Sequence, residues 1–154
     1  MNIEPTMSST YACEVAFVNK QRFNEAVARG DYPCAPVVDG RTRIFTARDV
    51  FGLWLYGQLT DEGLPPAKAG DLACQLVEVM RHNPDLQEVA LVRDAFRRRW
   101  VVAPDQVGSL VSFTLGGTQP IGIETLDLRP VHSNIAHQFN KLAARYVHPD
   151  DAED

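Results

Sequence analysis

Residues Asn19 to Leu59 read NKQRFNEAVARGDYPCAPVVDGRTRIFTARDVFGLWLYGQL, and the periodicity changes three times within them. Phe23, Ala26 and Val27 recur at helical spacing after Asn19, whose short polar side chain suits an N-cap, and Gly30 stands where a helix ends in the left-handed region. Pro33 and Pro36 then stop helical structure. Val37-Val38, a turn at Asp39-Gly40 and Thr42-Arg43-Ile44-Phe45 form a short β-hairpin, because Gly takes positive φ at little steric cost in a two-residue turn. Thr46 with Asp49 three residues later is a capping-box variant with Asp in place of Glu. Val50, Leu53, Trp54 and Leu59 form the buried side of the helix it opens.

Outward from this stretch, Ala12, Val15, Ala16 and Val18 keep helical spacing from Ser9. The break at Phe17-Val18-Asn19 predicts two helices joined by a tight turn. Met1 to Ser8 carry no periodicity and read as a mobile arm. On the other side, Glu62-Gly63-Leu64-Pro65-Pro66 ends the capped helix. Ala69, Leu72, Ala73, Leu76, Val77 and Met80 then form one stripe of a further helix, stopped by Asn83-Pro84. Leu86 to Arg99 fits a short helix, while Val89 to Val92 and Trp100 to Val102 also fit strands, so the secondary structure of 84–110 stays open. Val111 to Leu115, a loop through Gly116-Gly117, and Ile121 to Leu126 read as a second β-hairpin. A last helix follows from Ser133 or Asn134, with Ile135, Phe139, Leu142, Ala143 and Tyr146 on one face. The fold class expected is α+β. Its parts are a flexible arm at 1–8, a first domain at 9–83, a small region at 84–148 with an antiparallel hairpin or sheet and a terminal helix, and an acidic tail at 149–154.

With 154 residues, 45% hydrophobic and 23% charged, the chain has a globular composition and the length of one domain, or of a small domain with an appendage. No apolar run reaches membrane-span length, and the start MNIEPTMSST lacks a basic segment and an apolar core, which predicts a cytoplasmic protein. Cys13, Cys34 and Cys74 are widely spaced and odd in number, so they read as buried thiols and give no disulfide framework or metal knuckle. His82, His132, His137 and His148 lack metal-ligand spacing beyond the loose His132/His137 pair, and no metal or other cofactor is expected. No HExxH, GxSxG, Walker loop or Rossmann fingerprint occurs, so an enzyme is not expected.

In the order helix, turn, helix, basic hairpin, capped helix, residues Ser9 to about Met80 resemble the DNA-binding domain of the MerR family. The resemblance rests on Phe23 and Ala26, Arg29-Gly30, Pro36, and the string Gly40-Arg41-Thr42-Arg43-Ile44-Phe45-Thr46-Ala47-Arg48-Asp49-Val50. That string is similar to the family's second wing strand and the opening of its next helix. Gly63-Leu64 with Ala69-Gly70-Asp71-Leu72 resembles its turn before the fourth helix. Where the family carries Arg-Tyr-Tyr late in the second helix this chain has Asn24-Glu25-Ala26, so those backbone contacts do not transfer. The family's long dimerising coiled coil and metal-sensing cysteine loop have no counterpart here.

The resemblance implies a winged helix-turn-helix that holds double-stranded DNA in a sequence-specific transcriptional regulator of prokaryotic or phage type. The polar face Asn19, Lys20, Gln21, Arg22 and Asn24 has what base and phosphate contacts in a major groove require. Arg41, Thr42 and Arg43 on the wing would lie on the flanking backbone, and Arg48, unfavourable at a helix start, calls for a phosphate or a carboxylate partner. Against this stands a formal net charge of −5. From Asn19 to Val50, however, six bases face four acids, while the rest of the chain holds nine bases and sixteen acids. Binding should therefore be modest and salt-sensitive.

An ordinary solvated helix would look much like the polar face, and a solubilising turn much like the hairpin. Arg97-Arg98-Arg99-Trp100 is the densest basic run; three arginines ending a helix would satisfy its dipole, and a second nucleic-acid contact is the other reading. A homodimer is expected, with the C-terminal half supplying the interface or a site for a protein partner. The alternatives are an excisionase-like protein that bends DNA, and a protein-interaction module that reuses the winged helix without DNA.

Overall fold

Ser8 opens the first helix, α1 (Ser9–Ala16), its hydroxyl accepting the Tyr11 amide at 3.3 Å, and Phe17 closes it in the left-handed region with φ 57°. Asn19 then caps α2 (Lys20–Ala28), with Oδ1 accepting the Arg22 amide at 2.9 Å, and Gly30 ends it at φ 82°. The break at Phe17-Val18-Asn19 is thus two cap motifs back to back. These elements belong to a computed structural model that describes residues 4–108 and 120–147, leaving aside the side chains of Asp39 and of residues 144–147.

The hairpin pairs β2 (Val38–Asp39) with β3 (Thr42–Phe45) and turns at Gly40-Arg41, Gly40 having φ 70°; the turn lies one residue later than the expected Asp39-Gly40 because Asp39 pairs with Thr42. A further strand, β1 (Met7–Ser8), lies on the other side of β3, Met7 opposite Phe45 and Ser8 opposite Ile44. Of the arm expected over 1–8, the described residues 4–8 are not free of structure. Met7 is buried and Glu4 meets Arg48, so a two-residue ladder and an ion pair tie this segment down. Two residues are too few to leave a period-2 signature in sequence.

Helix α3 (Ala47–Asp61) starts with the full capping box: the Asp49 carboxylate accepts from both the amide and the hydroxyl of Thr46 at 2.9 Å. Helix α4 (Pro66–His82) buries the whole stripe Ala69, Leu72, Ala73, Leu76, Val77 and Met80. Each of its large apolar side chains contributes about 1.5–3 kcal/mol on burial. Gly52 lets α3 and α4 approach closely, since a Cβ there would lie 2.4 Å from Val77 Cγ2; Gly70 lets α4 approach the segment after α2, since a Cβ there would lie 1.8 Å from the Asp31 carbonyl oxygen.

Beyond α4, the described part of the segment 84–110 that sequence left open contributes two strands and no α-helix. Strand β4 (Glu88–Asp94) sits between β5 (Arg99–Val102) and β6 (Pro120–Asp127), antiparallel to both, and a 3₁₀ turn (Pro104–Gln106) follows β5. The expected strand Val111 to Leu115 lies outside the described residues. Its expected partner is β6, which pairs with β4. The terminal helix α5 (Arg129–Val147) begins earlier than Ser133, where Asp127 Oδ1 accepts the Arg129 amide at 3.0 Å. No helix among the described residues is long and apolar enough to cross a membrane.

One apolar core runs through both halves: Phe23, Phe45, Phe51, Leu53 and Leu76 are continuous with Val89, Val101, Leu128 and Ile135. The division expected at residue 83 therefore does not separate two cores. The cysteines also differ from expectation. Cys34 and Cys74 are joined in a disulfide with their Cα atoms 5.6 Å apart, and Cys13 alone is free and buried. The loop between Pro33 and Pro36 folds onto α4 and brings them together, a contact that a separation of 40 residues does not announce.

Candidate nucleic-acid interface

Phe23 on the inner face of α2 lies 6.1 Å, ring to ring, from Phe45 at the end of β3, so the helix and the hairpin share one anchor. The outward side of α2 presents Asn19, Lys20, Gln21, Arg22 and Asn24, all exposed. Their commitments differ. Asn19 spends its carbonyl oxygen on the cap, leaving its amide nitrogen to donate. Lys20 Nζ donates to Thr10 Oγ1 at 2.6 Å, and Gln21 Nε2 makes a long 3.4 Å contact with Glu25. Among the described residues, the side chains of Arg22 and Asn24 make no hydrogen bond, so they are the groups of this helix ready to meet a base or phosphate.

On the hairpin, Arg41 is exposed in the turn, whereas Arg43 is half-buried and its guanidinium donates to the Pro36 carbonyl. Thr42 donates to the Arg43 carbonyl at 3.3 Å. Arg43 thus fixes the root of the hairpin, and Arg41 is its open cation. Arg48, anomalous at a helix start, has its compensating carboxylate in Glu4 at 3.4 Å.

Asn19 and Arg22 border a hollow of about 580 Å³ whose other walls are Phe17, Tyr56, Thr60 and the turn Gly63 to Pro66. Arg41, Thr42, Arg43 and Arg48 lie outside it. Sequence reasoning passed over Phe17, 88% exposed and left-handed at the helix break, and the Arg29–Asp31 ion pair at 3.0 Å beside the same hollow. An aromatic at the residue that ends a helix, where Gly or Asn is usual, was the available signal. Beneath α1, burial pushes the Cys13 thiol up to about 11 against a small opposing effect of Lys20, so it is a neutral packing group at ordinary pH.

Arg97, Arg98 and Arg99 do not end a helix. They stand on the turn and first residue of the β4–β5 hairpin, away from α2, together with Lys68 and Arg93. His132 is a packing residue: a ring nitrogen lies 2.7 Å from the Leu86 carbonyl oxygen and its ring 4.6 Å from that of Phe51. Among the described residues no group of three His, Cys, Asp or Glu could hold a metal ion. Compared with known protein families and with curated proteins, the chain matches none.

Proposed function

We propose that this chain is a sequence-specific double-stranded DNA-binding regulator whose first eighty or so residues act as a MerR-like winged helix-turn-helix. The observation that carries the reading is the pairing of α2 with the basic hairpin through Phe23 and Phe45. A helix with Arg22 and Asn24 uncommitted stands next to a wing that holds Arg41 open. In this mechanism α2 enters the major groove, Arg22 and Asn24 read base edges, and Arg41 lies on the flanking phosphates. Two copies pair their half-sites, since one small module buries limited DNA surface.

The test is fluorescence anisotropy with fragments of the gene's own upstream region and with random duplex, across a range of salt. Selective binding with a steep log–log salt dependence is expected. Arg41→Ala should weaken all duplexes alike and reduce the slope by about one. Arg22→Ala should change the order of preference among sequences. Absence of binding at low salt, or equal effects of both variants on every duplex, would refute the assignment.

Phe17 favours a second reading. An aromatic so exposed beside Asn19 and Arg22 suits a protein surface, and a DNA-independent partner lost in Phe17→Ser would make the protein-interaction module the leading account.

A further inference from the structure

A cleft of about 700 Å³ lies between the first turns of α4 and the β4–β5 hairpin, a size suited to a small molecule. Its walls carry the charges of Lys68, Arg93, Arg97, Arg98 and Arg99 against those of Asp71 and Asp94. The Asp94 side chain is fully buried and satisfied internally, accepting the amides of Phe96 and Arg98 at 2.9 Å and Arg98 Nε at 2.8 Å. Asp71 accepts from Gln75 at 3.0 Å. The remaining four cations, Lys68, Arg93, Arg97 and Arg99, have no ion-pair partner among the described residues. In a chain of net charge −5 this is a local excess of one sign.

One feature of the hairpin is unfavourable as it stands: Arg97, which borders the cleft, is held at φ 69°, a conformation rare outside Gly, by the turn that Asp94 organises. Arg93 and Arg99 are register partners across β4 and β5, with the Arg93 side chain lying over Gly122 of β6 and Arg99 on the other side of β4. The frame is fixed, since Gln75 on α4 accepts the Val101 amide of β5 at 2.8 Å. The amides of Ala67 and Lys68, in the first turn of a helix without a side-chain cap, border the same space and add to its positive field. Leu64, Pro65, Leu72 and Ile121 give the lining an apolar side, while the Trp100 ring packs on the other face of the sheet against Ala90 and Val92 with the Arg98 guanidinium 5.5 Å from its centroid.

We propose that this cleft binds a small phosphate ester with an aromatic body, the chemistry of a nucleoside monophosphate. The phosphate meets Arg97, Arg99 and Lys68, and the aromatic group lies along the wall of Leu64, Pro65 and Leu72. The apolar wall excludes inorganic phosphate as the preferred occupant, and the concave form distinguishes the site from a surface for duplex DNA.

Calorimetric titration of the full chain at low ionic strength with AMP, adenosine and inorganic phosphate tests the site. The assay contains no DNA, so its outcome is separate from the proposed function. AMP should bind saturably at one site. Adenosine and phosphate should each bind roughly tenfold or more weaker, the worth of charge-assisted hydrogen bonds. Arg97→Gln/Arg99→Gln should cost AMP a similar factor with an unchanged circular dichroism spectrum; should that variant fail to fold, Lys68→Gln on the helix surface tests the same site. The proposal is overturned by no saturable AMP binding at millimolar concentration, by adenosine binding as tightly, or by binding that ignores the substitutions. It is also overturned if AMP fails while the double variant loses affinity for random duplex, since the cleft is then a second DNA contact.

Discussion

Gly70 offers a direct test of how α4 positions the segment between α2 and the hairpin. A Cβ there would lie 1.8 Å from the carbonyl oxygen of Asp31 and 2.9 Å from its carbon, both backbone atoms that no rotamer change can move aside. To reach ordinary contact, α4 or the Asp31-Tyr32 backbone must shift by roughly 1.5 Å, and overpacking of this kind costs about 1–3 kcal/mol, occasionally more. The upper end applies because the obstacle is main chain. Against it, alanine is preferred over glycine inside a helix by about 1 kcal/mol. Gly70→Ala should therefore lose about 2 kcal/mol net, lowering Tm by about 4–8 °C for a chain of this length. Urea unfolding followed by circular dichroism measures the loss as a lower midpoint at unchanged slope. Gly52→Ala is the internal comparison: its nearest obstacle is a Val77 side-chain methyl at 2.4 Å, with main chain no closer than 3.3 Å, so its loss should be smaller though not negligible, Val being stiff at χ1. If Gly70→Ala is as stable as the native chain, the close approach does not hold the Asp31-Tyr32 segment against α4, and the reasoning fails.

Three further outcomes can be measured on the same material. The Tyr32 hydroxyl is buried with no hydrogen-bond partner among the described residues, so Tyr32→Phe should stabilise by about 1 kcal/mol, and a lower Tm would show that the hydroxyl has a partner. The Cys34–Cys74 bond closes a segment of 40 residues, which corresponds to about 4 kcal/mol of chain entropy. Cys34→Ser/Cys74→Ser should lose most of this, and a reductant should destabilise the native chain but leave the double variant unaffected; an equal response of both refutes the bond. Asp127 is held down at about 2, against a usual 3.8, chiefly by the Arg129 side chain and also by its amide. Its folded value is the lower one, so the stability it contributes is complete above the unfolded value and is lost as pH falls from there towards 2. Carboxyl NMR titration with a midpoint near the ordinary value of about 3.9 would contradict this.

What sequence shows in this chain is what is local. Thr46 and Asp49 are three residues apart and the stripe of α4 repeats within one helix, so both are legible in the residues themselves; the hairpin is legible too, but its turn lies at Gly40-Arg41, one residue later than Asp39-Gly40. The pairing of β1 with β3, the Cys34–Cys74 bond and the placement of β6 beside β4 depend on distant segments meeting, and no periodicity carries that. The candidate site divides in the same way. That Arg22 and Asn24 are exposed follows from Phe23 and Ala26 facing inward at helical spacing. Arg43 reads as a free cation until the Pro36 carbonyl is seen beside it. Asn19 carried two competing uses, cap and base contact, and the helix break at Phe17 decides that its oxygen serves the cap. The basic cleft was half visible as Arg97-Arg98-Arg99, but a helix end and a hairpin turn place three arginines differently, and Arg93 joins them only through strand register.

The turn between α3 and α4 connects the two sites. Leu64 and Pro65 border both the hollow beside α2 and the basic cleft, and the turn is anchored by the Leu64 amide donating to the Leu59 carbonyl at 3.0 Å. On the two proposals, a ligand packed on this wall and DNA held at α2 would act on the same turn from its two sides. The hypothesis that follows from the two proposed sites is a coupling between them, and it must be reciprocal: whatever factor AMP imposes on DNA affinity, DNA imposes on AMP affinity. Anisotropy with saturating AMP should shift the DNA affinity by about fivefold or more, the lower end of ordinary coupling energies, while adenosine should not. The complementary titration of AMP into the DNA complex should give the same factor. Unchanged affinity in both would show a rigid turn and independent sites. Mutual exclusion, growing without limit as AMP increases, would show that DNA itself enters the cleft.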